Sequence, residues 1–224
     1  MIVQIYTMQS VLEAQDVLSL GADHLGITPA QTGLPGEIDY ASGRAIVEAV
    51  GDQAVSVALT IDTDIGKIME MVGVVNPDIL HLCAVQGSLS PDAVGELRMR
   101  VPGMPILQAV SVSGSRAVDT AIAYQDVADY LILDTQSPEI PGIGASGRTH
   151  DWQISREVVR RVNLPVILAG GLSPENVAEA IRIVRPWGVD SLTHTNYPLA
   201  GGGFRKDLEK VRRFVGAARS TNSL

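Results

Sequence analysis

Short runs of β-branched and apolar residues recur along the chain about every 25 to 30 residues, each followed by a longer stretch whose apolar positions are spaced three and four apart. Eight such runs are legible, near Val3–Tyr6, His24–Ile27, Ala54–Leu59, Ile79–Cys83, Pro105–Val110, Tyr130–Asp134, Pro165–Ala169 and Gly188–Thr193. Strands that alternate this regularly with helices must pair in parallel, because each helix carries the chain back to the starting edge, and eight such units can close on themselves. The expected fold is therefore α/β, a single (β/α)8 TIM barrel over residues 1–218 with a loose tail at 219–224; a doubly wound open sheet is the alternative. The helical stretches carry their own punctuation. Ser10, Ser90-Pro91-Asp92 and Ser173-Pro174-Glu175 read as helix starts, and Gly21 and Gly51 as stops.

Composition removes several functions. Hydrophobic residues make up 46% of the chain and charged ones 19%, enough to bury a large core. The balance of 17 Lys+Arg against 25 Asp+Glu gives a formal net charge of -8 with no basic run, so nucleic acid is not an expected partner. No apolar run approaches the roughly 18 residues that span a bilayer, so no membrane partner is expected either. Cys83 is the lone cysteine, and Met1 leads straight into a strand-like run, so the expectation is a cytoplasmic protein, monomer or homodimer, whose partner is a phosphorylated small molecule.

The strongest site signal is Leu168-Ala169-Gly170-Gly171-Leu172, which ends the seventh strand and runs into Ser173-Pro174. Two glycines let backbone N–H groups approach an anion, and a helix start adds partial positive charge. A second glycine-rich stretch, Gly201-Gly202-Gly203, follows the eighth strand, and the rim after strands seven and eight is where barrels hold phosphate. The expected phosphate and substrate set is Gly170, Gly171, Leu172, Thr193, His194, Thr195 and Gly144. The last of these lies in the longest connection, residues 136–150, whose length and glycine content suggest an active-site lid.

Asp134 closes the run Tyr-Leu-Ile-Leu-Asp, so an apolar strand delivers one carboxylate to the rim. It is the preferred general base, although a carboxylate there could instead cap a loop N–H. Asp62 and Asp64 read as caps of the next helix. Tyr6, His81, Cys83 and His194 lie near strand ends with groups able to move protons, and the first three are candidate acids. Strand alternation puts His81 and Cys83 on one face, and likewise Ile132 and Asp134. Cys83 also fits a buried apolar thiol, and His24 fits a packing residue. No His/Cys spacing matches a metal motif, and no cofactor is expected. No lysine at a strand end supports Schiff-base chemistry.

Taken together these residues resemble the phosphoribosylanthranilate isomerase family, barrel enzymes of the tryptophan pathway that carry out an Amadori rearrangement. Leu168 to Val177, Gly188-Val189-Asp190 and Gly202 to Val211 look like that family's phosphate-side strands and final helix, while Gly21 to Gly26, Leu131 to Asp134 and His150-Asp151-Trp152 look like its second strand and the flanks of its strand-six loop. The resemblance implies a sugar-phosphate isomerase that transfers a proton between adjacent carbons, with Asp134 matching the family's proton-shuttling aspartate. It also exposes departures. Where the family has Lys-Ile-Cys-Gly, with the cysteine as ring-opening acid, this chain has Gln4-Ile5-Tyr6-Thr7. The family's arginine that meets the anthranilate carboxylate has no counterpart near Leu34-Pro35-Gly36, unless Arg44 reaches back. Gln-Leu-His-Gly becomes His81-Leu82-Cys83-Ala84, and Ser-Ser-Gly becomes Leu192-Thr193-His194. Losses confined to the anthranilate half imply a changed substrate. The alternatives are a relative with another sugar-phosphate reaction, such as an epimerase or lyase, and a non-catalytic phosphate-binding barrel.

Overall fold

A computed structural model describes residues 1–112, 114, 116–136 and 142–221. Its strands are β1 (Ile2–Ile5), β2 (His24–Ile27), β3 (Val55–Thr60), β4 (Ile79–Leu82), β5 (Ile106–Ser111), β6 (Tyr130–Asp134), β7 (Val166–Leu168) and β8 (Gly188–Ser191). All neighbours are parallel, and β1 pairs with β8 from Ile2↔Gly188 to Ile5↔Ser191, which closes the barrel and excludes the open sheet. The helices α1 (Val11–Ser19), α2 (Tyr40–Val50), α3 (Ile65–Val75), α4 (Pro91–Arg100), α5 (Ala117–Tyr124), α6 (Trp152–Arg161), α7 (Val177–Val184) and α8 (Leu208–Ser220) alternate with them.

Helix punctuation follows side-chain chemistry. The Ser10 hydroxyl accepts from the Glu13 N–H, the Ser90 hydroxyl from the Ala93 N–H, and the Asp64 carboxylate from the N–H groups of Gly66 and Lys67. At Ser173 the structure differs from the expectation: α7 begins only at Val177, and residues 173–176 form a turn in which the Asn176 side chain accepts from the Ser173 N–H. Asparagine competes there for the backbone donor that a helix start would have offered a ligand. At the other end α8 continues past the expected boundary at Ala218, and Arg219 pairs with Asp23 and the Gly21 carbonyl. Residues 222–224 of the expected tail lie outside the described residues.

Two apolar layers result. One lies between barrel and helices and includes Phe214, fully buried on α8; the other fills the barrel with Val57, Leu107, Ile132 and Ile167. Phe214→Ala should cost about 3–5 kcal/mol and lower the melting temperature by roughly 10 °C, measurable by thermal denaturation. The barrel floor is aromatic: Trp187 stacks near Tyr130 and His24, so His24 packs as its sequence position implied. Above it runs a buried polar thread, with the Gln4 amide donating to Asp190 (3.1 Å) and its oxygen 3.3 Å from His24 Nδ1.

One element was not foreseen. The segment after β8 folds into a short antiparallel hairpin, β9 (Asn196–Pro198) and β10 (Phe204–Lys206), with Gly201–Gly203 at its exposed tip. Three-residue strands leave too little alternation to read.

Candidate active site

Strand alternation turns Tyr6, His81, Cys83, Asp134 and Asp190 inward at the C-terminal rim, where they line one cavity. The Tyr6 ring occupies the space that a side chain on Gly26 would need, since a Cβ there would lie 2.3 Å from the ring. A tyrosine at the end of β1 thus depends on a glycine in β2. Its hydroxyl meets His81 Nδ1 at 3.0 Å, and the rings pack edge to face. Burial raises the phenol well above its ordinary range and pushes the imidazole down to about 3, so both are neutral. His81 Nε2 has no partner among the described residues.

Cys83 is placed differently from a free acid. Its thiol donates to the Ile143 carbonyl at 2.8 Å, tying the β6–α6 loop to β4, and burial pushes its titration up.

Asp134 sits between two glycines of positive φ. A Cβ on Gly144 (φ +101°) would lie 2.5 Å from one carboxylate oxygen, and one on Gly170 (φ +80°) would lie 3.1 Å from the other. Only residues without a side chain let both loops close over the carboxyl. Burial raises it to about 7 against one compensating hydrogen bond from the Thr135 N–H (2.6 Å). Thr135 also meets His150 Nδ1 at 3.3 Å, and His150 Nε2 meets the Ser155 hydroxyl at 2.7 Å, which braces the loop behind Asp134.

A second carboxyl, Asp190, is buried beside Asp134 and does not stand out in the sequence as a strand-end acid because Ser191 and Leu192 follow it. Burial raises it to about 7, while the Gln4 amide and Lys206 draw it down. Lys206 is another residue that sequence position concealed: it belongs to the hairpin yet is buried, its ammonium donating to the Tyr6 carbonyl and to Asn196 Oδ1 (2.6 Å). Burial pushes it down to about 7. The pairing of β9 with β10 brings it there.

A smaller pocket adjoins the first, lined by Gly147, Gly170, Gly171, Leu172, Thr193 and His194 among others. The N–H groups of Gly171 and Leu172 have no acceptor among the described residues. Asp134, Ala145, Asp190 and Leu192 line both pockets, so the two carboxyls stand at their junction. Two expectations need correction: Thr195 is fully buried with its hydroxyl donating to the Leu192 carbonyl, and Gly201–Gly203 turn the hairpin outside this pocket. Gly144 covers Asp134 and lines the larger cavity. The N–H donors of Gly171 and Leu172 belong to loop backbone, since α7 starts five residues beyond Leu172. Of the expected lid, residues 137–141 lie outside the described residues; the remainder docks on this pocket, His194 Nε2 donating to the Gly147 carbonyl at 3.0 Å.

The model of the N-(5'-phosphoribosyl)anthranilate isomerase family matches residues 4–217 of this chain. The chain belongs to that family. It is 35% identical over 201 residues to the N-(5'-phosphoribosyl)anthranilate isomerase of Methanocella arvoryzae, covering 90% of each. Phosphoribosyl anthranilate isomerase of Thermotoga maritima superposes with a TM-score of 0.81 at 24% identity, over 98% of this chain and 100% of that one. A further structure of the enzyme, in complex with reduced 1-(o-carboxyphenylamino)-1-deoxyribulose 5-phosphate, gives 0.79 at 22% identity over the same shares. As a member of the phosphoribosylanthranilate isomerase family the protein is an isomerase of the Amadori type, on the barrel its sequence implied. Within the family pattern, Tyr6 stands where the acid cysteine is expected, and Arg44 does not reach back: it pairs with Glu48 on the exposed side of α2. Among the described residues no helix is long and apolar enough to cross a membrane.

Proposed function

We propose that the protein isomerises an N-(5-phosphoribosyl) amine to the corresponding 1-amino-1-deoxyribulose 5-phosphate. The observation that carries this reading is the position of Asp134 and Asp190 at the junction of the two pockets. A phosphate anchored beside Gly171, Leu172 and Thr193 puts the sugar's C1 and C2 at that junction and its amine substituent in the larger cavity. Unpaired backbone N–H groups suit the anion without placing a cation beside the carboxyls.

The proton steps then distribute over this chain's own residues. Tyr6, with His81 Nδ1–H donating to its oxygen, gives its proton to the ring oxygen; the C1–O bond breaks while the amine lone pair forms the C1=N bond. Asp134 takes the proton from C2, leaving an enol amine, and returns it to C1 as the C2 hydroxyl loses its own proton to the Tyr6–His81 pair and becomes the ketone. Atoms and charge balance, and each group ends in its starting state. Gln4 holds Asp190 beside the nitrogen, where an acceptor orients the amine. Cys83 serves the loop rather than the proton path.

The assay is direct: phosphoribosylanthranilate, freshly prepared, is incubated with the protein and the loss of its fluorescence followed, with ribulose 5-phosphate binding measured alongside. Turnover with phosphate-dependent binding supports the reading; absence of both defeats it. Gly171→Ala separates the phosphate contribution. Its Cβ would lie 2.6 Å from the Arg148 and Thr149 backbone at φ +63°. Affinity for ribulose 5-phosphate should fall about tenfold by calorimetry, the equivalent of ~1.4 kcal/mol.

A further inference from the structure

The larger cavity has a wall that the proton chemistry does not use. It is formed by the loop from Thr28 to Asp39, and that loop is fastened at several points. The N–H groups of Thr32, Gly33 and Leu34 all donate to one oxygen of the Glu37 carboxylate, at 2.8, 2.9 and 3.1 Å. These bonds hold the Glu37 carboxyl below its usual range although it is largely solvated. The stem is closed by backbone bonds from Ile38 to Thr28 and from Ala30 to Ile38. Gly36 lies so close to Thr7 and Phe204 that a Cβ would meet them at 2.5 and 2.6 Å. The loop therefore presents Leu34, 8% exposed, and Pro35 to the cavity in a fixed arrangement.

Facing them are Leu59, Ile61, Ile132 and Ile143. The charged groups in the lining are Asp134 and Asp190, both carboxyls; no lysine or arginine lines the cavity among the described residues, and the residues outside the described set include none. Arg44 pairs with Glu48 outside α2, and Lys206 donates to the Tyr6 carbonyl and to Asn196. An anionic substituent bound here would lose its hydration, find no counter-charge, and face two carboxyls across an apolar chamber. A neutral ring or alkyl group would instead bury its surface against Leu34, Ile61 and Ile143. Its uncharged polar atoms have a partner available in the Thr28 hydroxyl.

We propose that this cavity selects phosphoribosyl amines whose amine substituent is uncharged, an aromatic or aliphatic group without a carboxylate, and that Leu34 and Pro35 set this specificity. The proposal rests on the reading of the site as a phosphoribosyl amine pocket, and the experiment separates the two. Calorimetry compares reduced 1-(o-carboxyphenylamino)-1-deoxyribulose 5-phosphate, its 1-phenylamino counterpart lacking the carboxylate, and ribulose 5-phosphate, with the unaltered protein and with Leu34→Arg. Pro35→Arg, at an exposed position, repeats the test should Leu34→Arg lower the melting temperature.

The phenylamino compound should bind at least tenfold more tightly than the carboxyphenylamino one, and an arginine at either position should narrow or reverse that order. Equal or tighter binding of the carboxylate by the unaltered protein overturns the specificity while leaving the phosphoribosyl amine reading in place. Binding of ribulose 5-phosphate with neither arylamine overturns the specificity too, since the chamber then takes no ring. Binding of none of the three removes the underlying reading and the specificity with it.

Discussion

Asp134→Asn should lower kcat/KM by about a thousandfold with the fold intact, because the amide keeps the volume and one acceptor oxygen but cannot take a proton from carbon. Half-buried and hemmed in by two glycines, this carboxyl is desolvated enough to titrate near 7 and not near 4. A base with that property sits close to the operating pH: ionised often enough to accept the C2 proton, and protonated readily enough to give it back at C1. The sign of the pH dependence follows. Asp134 must be ionised in the free enzyme, so kcat/KM rises with pH through about 7 and levels off above it. Stability runs the other way. A carboxyl whose folded-state titration is raised contributes stability in full below its unfolded value near 4 and loses that contribution as pH climbs to about 7. Asp190, raised for the same reason, adds to the trend. Asp134→Asn should therefore flatten the acid limb of whatever activity remains and reduce the fall in melting temperature between pH 5 and 8. A residual rate within tenfold of the unaltered enzyme would remove Asp134 from the proton path. The same assay after Asp190→Asn should show a smaller loss, since that carboxyl orients the amine and is not asked to carry a proton.

What the sequence disclosed, and what it hid, divides along the distance between partners. The eight strands were legible because each side chain's alternation is a local property, and closure follows from counting them. Asp134 was legible for the same reason, as a lone charge at the end of an apolar strand. The environment that makes it useful was not, since Gly144 and Gly170 come from different loops and neither glycine announces what it covers. Gly201–Gly203 show the opposite error: three glycines after the last strand read as an anion cradle, whereas they relieve the turn of a hairpin whose strands are too short to register. That hairpin in turn carries Lys206 under the end of β1, nearly the whole chain away from Tyr6, a contact no spacing rule encodes. Ser173-Pro174 reads as a helix start until the Asn176 side chain is seen to take the Ser173 N–H.

The departure at Tyr6 gives the other large effect. Tyr6→Phe should cost about 1–3 kcal/mol of stability for the lost His81 contact and no more, because the ring goes on filling the space above Gly26, while kcat/KM falls about a hundredfold or more through loss of the proton donor. His81→Gln should lower activity by a similar factor. The two hydroxyl and imidazole groups touch at 3.0 Å and work on one proton, so the double variant should be little worse than either single one. That non-additivity is the signature of a shared role, and two independent groups would multiply their losses. Cys83 provides the contrast. Its thiol proton is held by the Ile143 carbonyl, a bond a serine hydroxyl can replace, so Cys83→Ser should stay within about threefold of the unaltered rate. If Cys83→Ser instead lost as much as Tyr6→Phe, the acid would be the thiol, displaced from the end of β1 to the end of β4. If Tyr6→Phe retained full activity, ring opening would need no donor from β1 at all. A tyrosine in that position is a poorer acid than a thiol, and burial raises its titration further, so its proton transfer rests on the His81 imidazole that meets its oxygen at 3.0 Å and can stabilise the phenolate. A Tyr6→Cys variant puts the difference to measurement: it should lose the His81 contact, expose Gly26 to a void, and depend on His81 less than the unaltered enzyme does.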